Sequence, residues 1–361
     1  MLLRNEMILN AQINNFKALK NISVSDIGRV NLFVGNNSSG KSTLLEALYL
    51  ASSSNPVRAV IDINNFRGIS QLDKYPWDTF FTSFNTKNEP QIKSEFTEKT
   101  VTTQIEPFLP DYRHIETDPE ESFNSDYFSS SISGLTLNIS EFDRDKNRDG
   151  RKSSQTIKFD HKEGNDLVKF GIHGREPDFL RFTSSLFITG KANLISKMPH
   201  FITNLKINKQ LDAVIEILKN FSPSVNNLEI GSDSIYVDIG ESKLYPIGVM
   251  GDGFVRFLAI SLAIISSGRK VILIDEIDTG LHYSAQFFLW EAILKLAENN
   301  NVQIMAVTHS IDCISSFAKA GKKSSEKTKM YRLEKEDDKN FIIDYNVDEI
   351  QSAIEKEYEM R

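Results

Sequence analysis

A glycine-rich stretch near the amino terminus has the residue types and spacing of a phosphate-binding loop, or P-loop. It follows an apolar run, Val30–Val34, and precedes a helix-forming segment, Leu44–Leu50. The pattern is G-x-x-x-x-G-K-[ST], and the strand–loop–helix order is the context in which it binds phosphate. Its residues are Gly35, Asn36, Asn37, Ser38, Ser39, Gly40, Lys41, Ser42 and Thr43.

The chemistry expected of this loop follows from its backbone and from two side chains. Gly35 and Gly40 permit backbone angles that are closed to other residues. The loop amides can then point inward at phosphate oxygens, and the helix amino terminus adds its positive end. We predict that Lys41 reaches the β- and γ-phosphates of a bound nucleotide and that Ser42 is a ligand of Mg²⁺.

A second set of chemically useful residues lies about 230 positions further along the chain. The apolar run Val271–Ile274 ends in two carboxylates, Asp275 and Glu276. A short apolar run of this kind predicts a strand buried on both faces, and its end lies where nucleotides bind in α/β folds. Asp275 is therefore expected to hold Mg²⁺, and Glu276 to orient or deprotonate the attacking water.

Two further segments resemble parts of a nucleotide site. Met250–Phe254 is a glycine-containing loop before a predicted helix over residues 254–267, and such a loop is a second anion site. Arg256 either adds positive charge to that site or is solvated. A strand predicted at Val302–Val307 runs into Thr308 and His309, and we expect His309 to contact the γ-phosphate. His282 is left open between a functional and a structural role.

Composition places few limits on function. The chain of 361 residues has 25% charged residues and a net charge of −7, so a wholly basic nucleic-acid binder is not expected. The single cysteine, Cys313, fits a reducing compartment, and the longest apolar run is too short to span a bilayer. We expect a cytoplasmic protein without a signal peptide.

The intervening chain predicts a β-rich insert followed by helices. Strands are expected at Thr97–Thr103, Leu135–Phe142, Gln155–Phe159 and Leu167–Ile172, in an antiparallel sheet with a long charged loop at Arg144–Ser154. Residues 191–221 have helical periodicity. We divide the chain into the amino-terminal part of an ATPase head (1–90), an insert (91–245), the carboxyl-terminal part of the head (246–345) and a charged tail (346–361).

The order of these motifs resembles the ATP-binding-cassette (ABC) class of P-loop ATPases, in its SMC, RecF and OLD-like branch. The resemblance rests on G-N-N-S-S-G-K-S at 35–42, M-G-D-G-F-V-R at 250–256, I-L-I-D-E-I-D-T-G-L-H at 272–282 and V-Q-I-M-A-V-T-H-S at 302–310. Within that branch the chain looks like the ATPases that are paired with a separate effector in bacterial anti-phage defence. The implied fold is an α/β ABC-type head with a mixed or parallel core sheet, an antiparallel β subdomain and an inserted helical segment.

The resemblance also implies a mechanism. Two ATP molecules with Mg²⁺ would lie between two head-to-tail protomers, each ATP touching the P-loop of one chain and the signature segment of the other. Lys41, Ser42, Asp275, Glu276 and His309 would act within one chain, and Gly251, Asp252 and Gly253 on the partner's nucleotide. Asp278 would lie at the protomer interface, and Gln71 would be a further metal ligand. The signature departs from the transporter form. There is no heptad stretch for a coiled-coil arm and no room for a Toprim domain.

Three functions remain open at this stage. The first is an ATP-driven sensor and switch for a separate effector, such as a nuclease, with slow basal hydrolysis in a homodimer or higher oligomer. The second is a RecF-like DNA-repair ATPase that clamps duplex DNA on a basic face. The third is an ATP-binding scaffold without turnover. The lysines that could form the basic face are Lys191, Lys197, Lys206, Lys209 and Lys219.

Overall fold

The structure is a computed structural model of the chain, and the description covers most of the sequence. The described residues are 7–69, 76–109, 132–162, 165–174, 184–189, 198–232, 234–266, 268, 271–337 and 339–356.

The amino-terminal segment forms two strands, because its apolar residues recur at the spacing of strands with one buried face. β1 (Ile8–Phe16) and β2 (Leu19–Val24) are an antiparallel hairpin, and each turns one apolar face inward. Lys17 has a φ of 51° at the tight turn between them. β3 (Val30–Gly35) is buried along its whole length and leads through the P-loop into helix α1 (Lys41–Ser52).

A seven-stranded antiparallel sheet continues from this hairpin, in the order β2-β1-β4-β5-β6-β7-β8. The additional strands are β4 (Gln91–Phe96), β5 (Lys99–Phe108), β6 (Gly134–Asp143), β7 (Arg148–Lys162) and β8 (Asn165–Gly174). The predicted loop at Arg144–Ser154 is wrong, because β7 already begins at Arg148 and pairs with Asp143. Asn147, at φ 46°, makes the tight turn, a conformation that asparagine tolerates better than most residues.

A six-stranded sheet positions the candidate site, in the order β16-β15-β3-β14-β13-β9. Its other strands are β9 (Ser185–Ile188), β13 (Val271–Ile274), β14 (Gln303–Val307), β15 (Thr328–Glu336) and β16 (Lys339–Tyr345). Within this sheet, every pairing between described strands is parallel except that of β15 with β16. The carboxyl ends of β3, β13 and β14 therefore meet at one edge, which brings the P-loop, Asp275 and His309 together.

Helices cover both faces of this parallel sheet, and a small sheet of β10 (Asn227–Ile230), β11 (Ile235–Asp238) and β12 (Tyr245–Pro246) adjoins them. The predicted helix over 254–267 is present and begins earlier than predicted, at Asp252. The helices after α1 are α2 (Pro56–Phe66), α3 (Met198–Ile207), α4 (Leu211–Phe221), α5 (Asp252–Ser266), α6 (Tyr283–Asn300), α7 (Ile311–Gly321) and α8 (Val347–Glu355).

The core consists of two layers, and successive side chains of β3 point alternately into one layer and the other. Phe33 faces a cluster that contains α1, α2 and the inner face of the antiparallel sheet. Leu32 and Val34 face a cluster formed with the later helices. Three aromatic residues before β4, Trp77, Phe80 and Phe81, are buried in the same cluster as Phe33. The neighbouring Phe84 is 66% exposed.

Among the helices in the described part of the chain, none combines the length and the apolarity needed to cross a bilayer.

Candidate functional site

The P-loop is shaped by residues with positive φ. Gly35 has a φ of 138° and Gly40 of 102°, and Ser38 between them has a φ of 64°. A Cβ on Gly35 would lie 2.2 Å from the carbonyl oxygen of Leu333, and one on Gly40 would lie 2.7 Å from a methyl carbon of Leu19. The loop is therefore packed from behind by β15 and β2, and both glycines are required by conformation and by space.

Lys41 lies inside this loop. Its ammonium donates hydrogen bonds of 2.7 Å to the carbonyl oxygens of both Gly35 and Asn36. Burial lowers the pKa of Lys41 to about 8, and the charge of Asp275 opposes that shift. Because Lys41 opens α1, its positive charge adds to the dipole at the helix amino terminus. The arrangement concentrates positive potential where a polyphosphate would bind.

A hydroxyl and a carboxylate meet next to Lys41. Ser42 Oγ lies 3.2 Å from Asp275 Oδ1, although 233 positions separate the two residues. Burial raises the pKa of Asp275, and the hydrogen bond from Ser42 opposes the shift. Hydroxyl and carboxylate oxygens are ligands that Mg²⁺ accepts while it keeps waters and phosphate oxygens in its other positions. The pair therefore fits a magnesium ion. Within the described ranges there is no group of three or more His, Cys, Asp or Glu side chains that could hold a metal on its own.

Glu276 follows directly and has a different environment. It has a φ of 49°, which is uncommon for a residue with a side chain, and it is exposed. The hydroxyl of Thr279 lies 3.4 Å from Glu276 Oε2. The turn thus gives the two carboxylates different surroundings: Asp275 contacts the P-loop serine, and Glu276 is exposed.

The end of β14 adds His309 and a buried hydroxyl. Much of His309 is exposed, and the partial burial of its ring together with the charge of Lys41 lowers its pKa. Thr308 is fully buried, and its hydroxyl donates to Asp278 Oδ1 at 2.5 Å. Its hydroxyl also accepts from the amide of Ser310 at 3.0 Å. Thr308 therefore ties the predicted interface residue Asp278 to the strand that carries His309.

His282, which the sequence left open, has a structural role. It is the N-cap of α6, and its ring nitrogen accepts from the amide of Ser284 and lies 2.9 Å from the Ser284 hydroxyl.

The signature segment Gly251–Gly253 lies at the start of α5. Gly251 and Asp252 are exposed, Gly251 has a φ of 85°, and a Cβ there would meet no atom within 4 Å. Gly253 instead packs closely, because its Cβ would lie 3.1 Å from the carbonyl oxygen of Gly280. The segment therefore presents its first two residues outward and rests its third on the loop that follows the carboxylates.

Arg256 is placed differently from both sequence-based alternatives. Its side chain is buried, at 8% exposure, so it is neither solvated nor directed at the anion site that was predicted for Met250–Phe254. The guanidinium donates to three backbone carbonyl oxygens, those of Thr189 at 3.0 Å and of Asp275 and Glu276 at 3.1 Å. The prediction failed because Arg256 falls on the inner face of α5, where the carbonyls at the end of β13 accept its hydrogen bonds.

Sequence reasoning missed a buried ion cluster beneath the site. Glu46 of α1 is 2% exposed and contacts Lys17 Nζ at 2.9 Å and Arg67 Nε at 2.6 Å. The charge of Arg67 acts to lower the pKa of Asp275. No sequence spacing signals this cluster, because its members come from a hairpin turn, a helix and the end of α2. The available clue was Glu46, a charged residue within the mostly apolar segment Leu44–Leu50.

Some predicted residues have no structural test. Gln71, Lys191 and Lys197 lie outside the described residues. Of the other lysines of the predicted basic face, Lys206 forms an ion pair of 2.8 Å with Glu229, and Lys209 and Lys219 are exposed.

Comparison with known proteins agrees with this architecture. A family model described as "AAA domain, putative AbiEii toxin, Type IV TA system" matches residues 30–314, which is most of the chain. An "ATP/GTP phosphatase" of Helicobacter pylori is 26% identical over 365 residues, covering 92% of this chain and 93% of that protein. "ABC transporter A family member 4" of Dictyostelium discoideum is 33% identical over 96 residues, 26% of this chain and 6% of that protein.

A solved structure shares the fold. The SMC head bound to the C-winged helix domain of ScpA has a TM-score of 0.53 and 14% identity, covering 94% of this chain and 98% of that one. The predicted fold class, an α/β ABC-type ATPase head, is confirmed.

Proposed function

The chain belongs to the family described as "AAA domain, putative AbiEii toxin, Type IV TA system", and from this premise we propose that it is an Mg²⁺-dependent ATPase whose two copies close on ATP and thereby switch a separate effector. In this proposal residues 1–90 and 246–345 form the ATPase head, residues 91–245 an insert and residues 346–361 a tail. The proposed nucleotide contacts are those of the P-loop, Gly35–Thr43.

Hydrolysis is supported by the chemistry gathered at the sheet edge. Lys41 supplies positive charge for the phosphates, and Ser42 with Asp275 supplies oxygen ligands for Mg²⁺. When bound, the ion would neutralise charge on the β- and γ-phosphates. Glu276 is exposed and can orient a water, and His309 lies close enough for Lys41 to influence its pKa. The name of the Helicobacter pylori relative also favours nucleoside triphosphate hydrolysis, with ATP or GTP as substrate.

The single observation that carries the dimer proposal is the orientation of the signature segment. Gly251 and Asp252 are exposed, whereas Phe254 and Arg256, a few positions further on, are buried. A glycine loop at a helix amino terminus that faces outward can meet the phosphates of another chain's nucleotide. Since one contribution would come from the partner, we expect basal hydrolysis to be slow until the dimer closes.

The test of the dimer uses Glu276→Gln. This variant should bind ATP and Mg²⁺ but not activate water, so the closed dimer should accumulate, and the measured mass should double when ATP is added. Glu298→Gln, which changes an exposed carboxylate on α6, is the matched control and should behave as wild type. An unchanged mass in both wild type and Glu276→Gln at saturating ATP would exclude the ATP clamp and leave only a nucleotide pocket.

The biological role is proposed from the family description, which names an AbiEii toxin and a toxin–antitoxin system. That description favours a role in anti-phage defence, and the switch for a separate effector is proposed from the resemblance to ATPases that are paired with such an effector. Expression of the chain with the product of its neighbouring reading frame should reduce phage plaquing, and Glu276→Gln should change that protection. A neighbour with no effector activity, together with unchanged plaquing, would argue against defence.

The RecF-like alternative predicts a different measurement. Phosphate-dominated DNA binding weakens steeply as salt rises. Duplex binding that is absent at low salt, with and without ATP, would end this alternative. The scaffold alternative is excluded by any ATP turnover that Glu276→Gln removes.

A further inference from the structure

Arg256 connects two parts of the site that, under the proposed function, serve different ATP molecules. It lies in the first turns of α5, the helix that begins with the signature segment. One guanidinium nitrogen donates to the carbonyl oxygens of both Asp275 and Glu276 at 3.1 Å, and the other donates to that of Thr189 at 3.0 Å. A planar guanidinium holds several acceptors in a fixed geometry better than an ammonium does.

The residue that Arg256 holds has an unusual backbone. Glu276 has a φ of 49°, a conformation that persists in a residue with a side chain only when its surroundings impose it. The hydrogen bond from Arg256 to the Glu276 carbonyl is one such constraint, and the hydrogen bond from the amide of Ile277 to the carbonyl of Val307 at 3.0 Å is another. Loss of the guanidinium would free the peptide that aims the Glu276 carboxylate.

The other end of the connection is the signature segment. Gly253 packs on Gly280 and Leu281, where there is no room for a side chain without movement. The start of α5 therefore packs on the loop after the carboxylates, and the same helix carries Arg256. The exposed Gly251 and Asp252 are the part that a partner's nucleotide would touch.

We infer that Arg256 is a positioning residue that acts within its own chain and sets the orientation of Glu276. When the partner's ATP binds the signature segment, Arg256 transmits the effect of that binding to Glu276. The inference rests on the proposed dimer. Its consequence is that the two ATP molecules of a dimer are hydrolysed cooperatively. In each chain the signature segment contacts one ATP molecule and Glu276 acts on the other, and Arg256 links the two.

Single variants test the positioning role. Arg256→Met should lower kcat about 100-fold, because small misplacement of a catalytic group has effects of this size, and should leave ATP affinity within about threefold of wild type. Arg256→Lys should lose about tenfold, and methylguanidinium should restore part of the activity of an Arg256→Ala variant. A fall in ATP affinity equal to the fall in kcat, or an unchanged kcat, would overturn the positioning role.

A matched control separates positioning from general stability. Arg29 is also largely buried, and it binds Glu326 and Asn301 at the amino-terminal end of β3, away from the carboxyl edge of the sheet. Arg29→Met should lower the thermal midpoint and leave kcat of the folded protein unchanged. If Arg29→Met and Arg256→Met lower kcat equally, the role of Arg256 is structural only.

Mixed dimers test whether Arg256 acts within its own chain. Two differently tagged chains are co-expressed and purified through both tags, and one chain carries Glu276→Gln so that a single site can turn over. Arg256→Met in the chain with the intact Glu276 should lower the rate about 100-fold, whereas Arg256→Met in the Glu276→Gln chain should lower it much less. The reverse pattern would mean that Arg256 acts on the partner's nucleotide and would overturn the inference.

Failure of the inference and failure of the proposed function are distinguishable. If wild type never dimerises with ATP, the proposed clamp and the coupling both fail, while the effect of Arg256→Met on kcat still reports on positioning. If the dimer forms and wild type shows cooperative turnover in ATP, Arg256→Met should bring the Hill coefficient to about 1. Cooperativity that persists in Arg256→Met would overturn the coupling and leave the clamp intact.

Discussion

The two halves of the candidate site are built in different ways. In the P-loop, Lys41 contacts Gly35 and Asn36, which lie six and five positions before it. At the carboxylate turn, the backbone of Asp275 is held by Ile188, and its side chain is met by Ser42, 233 positions away. The lysine of the first half is held by hydrogen bonds within the loop, which β15 and β2 pack from behind, whereas the second half forms only through hydrogen bonds between distant parts of the chain. We therefore expect catalysis to be more sensitive to distant changes than binding.

The largest effect, a loss of ATP affinity, is expected when the charge of Lys41 is removed from the P-loop. Lys41→Met removes the ammonium that faces the phosphates, and loss of a charge-assisted hydrogen bond of about 3 kcal/mol corresponds to about a 100-fold weaker ATP affinity. Isothermal titration with ATP and Mg²⁺ measures it. Lys87→Met, at an exposed turn before β4, is the matched control and should bind as wild type. Near-normal affinity in Lys41→Met would place the phosphates elsewhere.

The next effect is on stability and tests whether the buried ion cluster around Glu46 of α1 contributes to the free energy of unfolding. Glu46→Gln leaves Lys17 and Arg67 without their carboxylate, and breaking a buried ion pair by removing one partner costs about 3 kcal/mol of unfolding free energy. Denaturant unfolding measures the change. Arg58→Ala breaks the exposed pair with Asp62 on α2 and should cost less than about 0.5 kcal/mol. Equal costs would mean that burial of the Glu46 cluster is unimportant.

The contrast also explains what the sequence could predict. The strand, loop and helix around Gly35–Thr43 follow from local spacing, and so do Asp275 and His309, because each ends an apolar run. The start of β7 at Arg148 could not be predicted, since its charged residues form a strand only by pairing with β6. Likewise the inward direction of Arg256 could not be predicted, because it depends on the carbonyl groups of Asp275 and Glu276, which lie 19 and 20 positions away at the end of β13.

A smaller effect is expected at the connection between the carboxylate turn and β14. Thr308→Val keeps the shape of the buried side chain but removes the hydrogen bond to Asp278. We expect a loss of about 1.4 kcal/mol in transition-state stabilisation, which is about tenfold in kcat, with unchanged ATP affinity. Steady-state turnover measures kcat, and Thr203→Val on exposed α3 is the control. A weaker ATP affinity with unchanged kcat would assign Thr308 to binding.

The smallest effect is the proton uptake that accompanies ATP binding, which we expect to depend on the P-loop half of the site. The pKa of Lys41 is lowered by burial to about 8, and a bound polyphosphate must raise it again because it favours the charged form. Binding should therefore take up a proton above that pKa but not well below it, and ATP affinity should fall about threefold between about pH 7 and about pH 8.3. Titration in two buffers of different ionisation enthalpy measures the proton uptake.

Lys41→Met should abolish this uptake, because it removes the titrating group while leaving the carboxylate turn in place. Glu276→Gln should retain the uptake in full, since it changes only the carboxylate turn. If proton uptake instead survives in Lys41→Met, Lys41 is not the linked group. Asp275 could not account for the uptake, because a bound Mg²⁺ would make this carboxyl group release a proton. His309, whose pKa is lowered by its partial burial and by the charge of Lys41, would then be the group to test.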